Sequence, residues 1–580
     1  MNSKITSKIF FLLIFCFPAF LNAQDVEKAL ADIKNLKKIK PIKVAGGFNA
    51  SAVGYGVNGI ASRRAPFAYA LNANATVTLF GQISVPFAIN YTNNGVTKSG
   101  DPLAVLYAIL NRTGASPKYK WVTVHIGDRA LDFSKYSYSG VRWFGGGIEL
   151  APTNGLVKLA LFYGRLNQRT TGDTINGTPV APAYLRMGFG TKVEIGKAKH
   201  NVSLIVFHAE DEYYPGDIIN TKFGVSPKEN LVIGLKTKNQ ITKKLDLMIE
   251  YTSSALTLDK RNLGFEQTGG YNYFNNLGGL FTPLNSTTFN NAYNVAANYK
   301  EKYWTLGVNY LRVDPTYASL GVLTAKNDIE AYTLNATTSL FQNKVLLAGN
   351  VGTEANNLEN NLAQTMRRYI GSLNLTYLII KNLTLNLNYN NFNHSTAPSV
   401  ITKSDSIKLV QINQSQGGTL NYSWGKSDFK HSAMLAVTLQ ESNDIKEYIN
   451  YQVLQTNKVS NFSSSYTINN QLWQANGTFA LLFNQIEAPN VKTISIGPSI
   501  SLNKKMLQKK LNLVYTAAYL NNTDIAAKST TLTNKITATF KVDKHHAIKV
   551  ETSLINKNTI EGKGQTFTEY QGKIGYDFVF

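Results

Sequence analysis

The sequence predicts an all-β protein: a single large antiparallel transmembrane β-barrel of about 24–26 strands, the even count expected of a single-chain barrel. Three observations predict it. The N-terminus reads as an export signal, apolar and polar residues alternate with period two over most of the chain, and the last strand ends on Phe580.

The opening MNSKITSKIFFLLIFCFPAFLNAQ places Lys4 and Lys8 before an apolar run over 9–21, and a small-residue segment ends at Ala23. This is the pattern of a secretory signal peptide, so residues 1–23 are expected to be removed. The run is shorter than the roughly 20 residues of a membrane-spanning helix. Pro18 also interrupts it. Phe15 precedes the single Cys16 where lipid attachment needs a small residue, so no lipid anchor is expected. The mature chain would then carry no cysteine, and neither a disulfide framework nor a thiolate metal site.

Among 580 residues there are 31 Tyr, 29 Phe and 43 Gly, with only 16% charged residues. Strands with one apolar and one polar face have this composition. No stretch after residue 24 is apolar enough for a transmembrane helix. A chain that crosses a membrane must then do so as a closed barrel, because lipid offers no partner to an open strand edge. The net charge is +23, and loss of Lys4 and Lys8 with the signal leaves +21. The lysines are scattered through turns and strand ends rather than gathered in a basic helix or stripe, and the chain is exported, so no nucleic-acid partner is expected. Outer-membrane lipid and lipopolysaccharide phosphates, or an anion-favouring lumen, account for the charge.

Residues 24–41 form a separate short periplasmic segment in which Val26, Leu30, Ile33 and Leu36 recur at helical spacing. It is either a docking helix or a leader without fixed structure. The barrel is expected over 42–580. In 185–195, Leu185, Met187, Phe189, Val193 and Ile195 alternate with Arg186, Gly188, Gly190, Lys192 and Glu194, whose charges must point inward. In 369–390 two such runs flank the short Ile-Ile-Lys-Asn connection of a hairpin. Tyr251, Tyr377 and Tyr389 close their apolar series where an aromatic girdle would lie. A soluble sandwich would not explain inner faces so rich in Asn, Thr, Lys and Glu.

In the final FTEYQGKIGYDFVF, Gly572, Ile574, Tyr576, Phe578 and Phe580 share one face. The segment resembles the C-terminal signature by which the barrel-assembly machinery recognises its substrates, with Tyr576, Phe578 and Phe580 as the assembly signal. A second resemblance covers 116–169, SPKYKWVTVHIGDRALDFSKYSYSGVRWFGGGIELAPTNGLVKLALFYGRLNQR. Its Tyr-Lys-Trp start, His-x-Gly-x-Arg step, Phe-Ser-x-Tyr-Ser-x-Ser-Gly turn and Gly-rich strand look like a segment of large, poorly characterised outer-membrane proteins of Bacteroidota. That resemblance implies a Gram-negative cell outer membrane and a multi-pass barrel, and no activity.

Residues 127–140 interrupt the alternation, since Asp128 and Arg129 are adjacent. Two readings stand: a surface loop or rim bulge, or a loop folded inward. In the second, Arg129, Lys135, Tyr136 and Tyr138 would form a positive, aromatic lumen constriction. Pleat parity adds His125 and Glu149 from flanking strands, with Arg186 and Lys192 nearby, as a mixed-charge patch or simply as cross-strand pairs bracing the wall. The seven histidines show no zinc-protease spacing. His431-Ser432 lacks the Ser-Asn-Gly ending of an outer-membrane phospholipase motif, and no phosphate loop is present. No catalytic, cofactor or metal site is expected.

A barrel of this size encloses a bore wider than porins of 16–18 strands do, so something must narrow it. The loops near 93–118, 259–286 and 395–407 are the candidates. The function expected is a porin-like or substrate-selective channel. The alternative is a scaffold or accessory barrel of an export or surface-protein complex, holding a periplasmic partner through 24–41 or a surface partner through the aromatics of 259–286 (Phe265, Tyr271, Tyr273, Phe274 and Phe281). A self-packed cap over the bore is the plainer reading of that loop.

Overall fold

The computed structural model describes residues 42–580 apart from 80–82, 93–113, 154, 171–173, 176–177, 180–181, 215–223, 265–270, 277–278, 324–325, 363, 399–407, 427 and 448–451. The expected signal peptide, the 24–41 segment, most of 93–118 and most of 395–407 lie outside the described residues.

The alternating segments form one antiparallel sheet of 27 pairing segments, of which Gly114–Ala115 and Lys118–Tyr119 are two pieces of one interrupted strand. The wall therefore has 26 strands. Each pairs with the next in the chain, and the first, Ile42–Asn58, pairs with the last, Phe567–Val579, from Gly47 opposite Val579 to Asn58 opposite Thr568. At this seam Gly46 and Phe580 exchange two backbone hydrogen bonds of 3.0 Å. Closure removes the strand edges that hydrocarbon would leave unpaired.

Side-chain period fixes which face is which. Across Arg186–Lys197 and His200–Asp211, Val193 lies opposite Leu204 on the outside and Lys192 opposite Ile205 on the inside. Leu204 is 49% exposed on the outer wall, while Ile205 is fully buried. Connections at the end where the first strand begins and the last one finishes are short, as at 198–199, 241–244 and 381–382; those at the other end run to 131–141, 258–286 and 314–328. The short turn at 341–344 places Phe341, Gln342 and Asn343 in the left-handed region, with φ of 52°, 57° and 67°.

Aromatic residues flank the apolar band. On the turn side, Tyr299 lies 5.4 Å from Trp304, and Trp424 stacks on His431 at 5.4 Å. Tyr377 belongs to this lower edge, whereas Tyr251 and Tyr389 mark the upper one, above which outward positions turn polar at Ser253 and Asn391. Strands between Gln364–Ile380 and Gln452–Asn470 run 16–19 residues, so this side of the wall rises above the band.

The long loops separate to two sides of the wall. Segments 131–141 and 314–328 fold into the lumen, where Leu131, Phe133, Tyr138 and Trp143 pack on Phe162, Ile205, Phe207 and Val232, and Tyr136 and Tyr317 pack on Ala292, Val313 and Ile329. Loop 258–286 does the opposite. Phe274 and Phe281 pack on Leu231 and Ala255, which share the outer face with the exposed Leu235. This corrects the expectation of a cap over the bore or of aromatics free for a partner: Phe274 and Phe281 are spent against the outside of the wall, and Phe265 lies outside the described residues.

Candidate functional site

The lumen filling is built from the wall inward. Gly147 and Gly190 leave lumen-side space that aromatics take up. A Cβ at Gly190 would stand 2.4 Å from Phe162 and 2.7 Å from Phe133, and one at Gly147 would meet the Trp143 ring at 3.0 Å. Trp143 stacks on Phe162 at 5.1 Å, and Tyr138 packs on Phe162 at 4.6 Å and Phe207 at 5.1 Å.

Segment 131–141 holds its own shape. Asp132 accepts hydrogen bonds from Ser139 Oγ and the Gly140 amide, both 3.0 Å, and Tyr138 OH donates to the Val141 carbonyl at 2.8 Å. It is tied to 314–328 by three bonds: Tyr317 OH to Tyr136 O and Ser319 Oγ to Ser137 O, both 2.7 Å, and Ser139 N to Gly321 O, 2.8 Å. The wall grips the second segment in turn. Asn230 Oδ1 accepts from the Leu320 amide at 3.0 Å, its Nδ2 donates to Ser254 Oγ at 2.8 Å, and Ser254 donates to the Ala318 carbonyl at 2.7 Å. Glu250, 3% exposed, pairs with Lys236 at 3.1 Å on the adjoining wall. Burial and the Glu250 carboxylate push the Tyr136 phenol up to about 12, so it stays protonated.

The inward-fold reading of 127–140 is the one observed, though with a different consequence for its residues. Asp128 and Arg129 do not break the pleat: Asp128 faces outward and pairs with Arg142 at 3.0 Å, and Arg129 faces inward opposite Trp143. Tyr136 and Tyr138 are buried, so the expectation that their rings line a constriction is corrected; they are the core of the filling because apolar neighbours surround them on both wall and loop. Lys135 is exposed, with its ammonium 5.4 Å from the Tyr136 ring.

The other proposed lumen residues form pairs. His125 bonds Glu149 at 2.7 Å, Arg186 grips Asp211 with two bonds of 2.8 and 3.0 Å, and Lys192 sits 3.9 Å from Glu194, which Lys158 also pairs at 2.8 Å. The bracing arrangement thus describes them, and they do not gather around one point. Sequence reading missed Asn230, Ser254, Tyr317 and Ser319, whose partners are distant in the chain, and Ser116, which bonds His125 Nδ1 at 2.8 Å. His431 and Ser432 point to opposite faces, so they form no nucleophile pair.

Beyond Ile329 no described buried apolar cluster forms. There the lumen face is mostly Asn, Ser and Thr, joined in ladders such as Thr376–Asn386–Thr419 at 3.0 and 3.3 Å and Ser495–Asn522–Thr531 at 2.7 and 2.9 Å. Among the described residues no group of three His, Cys, Asp or Glu side chains would hold a metal ion.

No protein-family model and no curated protein matches this chain. Among solved structures it is similar to the translocation pore of the P pilus usher PapC, with 9% identity, a TM-score of 0.36 and coverage of 92% of this chain and 99% of that one. It is similar also to the ferric enterobactin receptor PfeA of Pseudomonas aeruginosa, at 10% identity, TM-score 0.38 and coverage of 92% and 80%. OccAB4 of Acinetobacter baumannii aligns at 11% identity and TM-score 0.26 over 65% of this chain and 97% of that one.

Proposed function

We propose that this chain is an outer-membrane channel whose bore is narrowed from one side by its own loops and is selective through the wall left open. The observation that carries the reading is the one-sided filling among the described residues: 131–141 and 314–328 pack on the wall up to Ile329, while the lumen face beyond it is mostly Asn, Ser and Thr, with its charges paired as in Arg368–Glu354 and Lys535–Glu551. Uncharged amides and hydroxyls hydrogen-bond a passing solute without holding a counter-ion, so polar solutes would pass along that side. In this reading the N-terminal signal directs export, and the strand ending in Tyr576, Phe578 and Phe580 is taken up by the assembly machinery. The resemblance to Bacteroidota barrels in 116–169 supports the same location.

The test is single-channel conductance of the refolded mature chain in planar bilayers. Stable conductance is expected, rising when 132–140 is replaced by a short Gly-Ser linker. A bore closed in both proteins, with a stable partner co-purifying from native outer membranes, overturns the channel reading in favour of a scaffold.

A further inference from the structure

One arrangement on the lumen wall has no part in narrowing the bore. Ser116 lies in the gap between Gly114–Ala115 and Lys118–Tyr119, followed by Pro117, which has no amide to give to a ladder. Its Oγ stands 2.8 Å from His125 Nδ1, and His125 Nε2 stands 2.7 Å from Glu149 Oε1. An ionised carboxylate only accepts hydrogen bonds, so Nε2 carries the ring proton and Nδ1 is left to accept the Ser116 hydroxyl. His125 is 7% exposed and packs edge-on to Trp143 at 6.5 Å, which fixes the ring. Ser116 and Glu149 are half-buried, so the hydroxyl is reachable while its base is shielded. Opposite His125 in the register stands Gly147, two residues from Glu149 on the same face of the neighbouring strand.

We propose that Ser116, His125 and Glu149 form a nucleophilic triad that cleaves a carboxylic ester reaching the lumen wall. Ser116 is the nucleophile, His125 the general base and then acid, and Glu149 the positioning residue that holds the tautomer and balances the imidazolium. Oγ adds to the carbonyl carbon as its proton passes to Nδ1; the C–O bond to the alcohol breaks, and the alcohol leaves with that proton. Water, deprotonated by Nδ1, then releases the acid and restores Ser116, so ester and water give acid and alcohol.

The test uses the full mature chain refolded in detergent, its folding checked by heat-modifiable gel migration, and a fluorophosphonate probe. Oγ bonds to phosphorus, the P–F bond breaks, and fluoride leaves. Peptide mass spectrometry is expected to find the label on Ser116. Ser116→Ala abolishes it, and His125→Gln slows labelling about 100-fold or more. Glu149→Gln labels more slowly because the imidazolium has lost its carboxylate, and Glu149→Asp, which keeps a carboxylate, recovers part of the rate. A folded barrel that takes no label at Ser116, or labels equally fast in His125→Gln, overturns the proposal.

Discussion

The phenol of Tyr317 donates a 2.7 Å hydrogen bond to the carbonyl of Tyr136, joining two lumen segments 181 residues apart in the chain. Both rings are buried, at 1% and 3% exposure, so water cannot replace the bond. Tyr317→Phe is expected to keep the packing and leave the Tyr136 carbonyl unsatisfied, at a cost of about 1–3 kcal/mol. Urea unfolding followed by tryptophan fluorescence would measure it, and conductance of the variant should fluctuate more than that of the parent.

Gly190 is required for steric reasons. Gly190→Val would drive its Cβ into Phe162 and Phe133, so the filling should loosen by about 1–3 kcal/mol. Gly54→Ala meets nothing within 4 Å and is expected to stay within about 0.5 kcal/mol of the parent. The contrast, read by protease cleavage within 131–141, separates crowding from general glycine loss.

Lys236 and Glu250 pair on the wall beneath the filling. Lys236→Met leaves the buried Glu250 carboxylate without its cation and should cost about 3 kcal/mol, the low end for a buried pair because Lys236 is partly exposed. The double variant Lys236→Met with Glu250→Leu should recover most of that loss in the same urea titration, since no buried charge remains.

Acid should loosen the 259–261 turn at the start of loop 258–286. Hydrogen bonds from the Arg261 guanidinium pull the Asp259 carboxyl down from 3.8 to about 2. A depressed carboxyl stabilises the folded loop fully above its ordinary value, and the contribution fades as pH falls from about 4 to about 2. Amide protection factors within 258–264, corrected for the intrinsic exchange rate at each pH, should therefore fall between about pH 4 and about pH 2, and Asp259→Asn should remove the step.

Much of the wall was legible because alternation is a local signal. Arg186, Lys192 and Glu194 had to turn inward once their neighbours were apolar, and Tyr251, Tyr377 and Tyr389 mark the edges of the band as their positions implied. What was not legible depends on contacts between distant segments. Nothing near Tyr136 in the chain announces Tyr317, and nothing near Phe274 announces Leu231 and the outer wall. Aromatic residues in a loop suit a rim, a partner site or a core equally well, and only tertiary packing decides. Ser116 escaped because its strand is broken into two-residue pieces, too short for any period to register.

Both inward segments, 131–141 and 314–328, hang between neighbouring strands of the wall, so each is anchored at its two ends. Such a stopper cannot leave the barrel in one piece as a separately folded plug domain can. Among the described residues, each inward segment can therefore shift only as far as the two strands that carry it allow, so any movement of the filling must bend the wall from Val122–Ala130 to Arg142–Leu150 or from Trp304–Val313 to Ile329–Leu340.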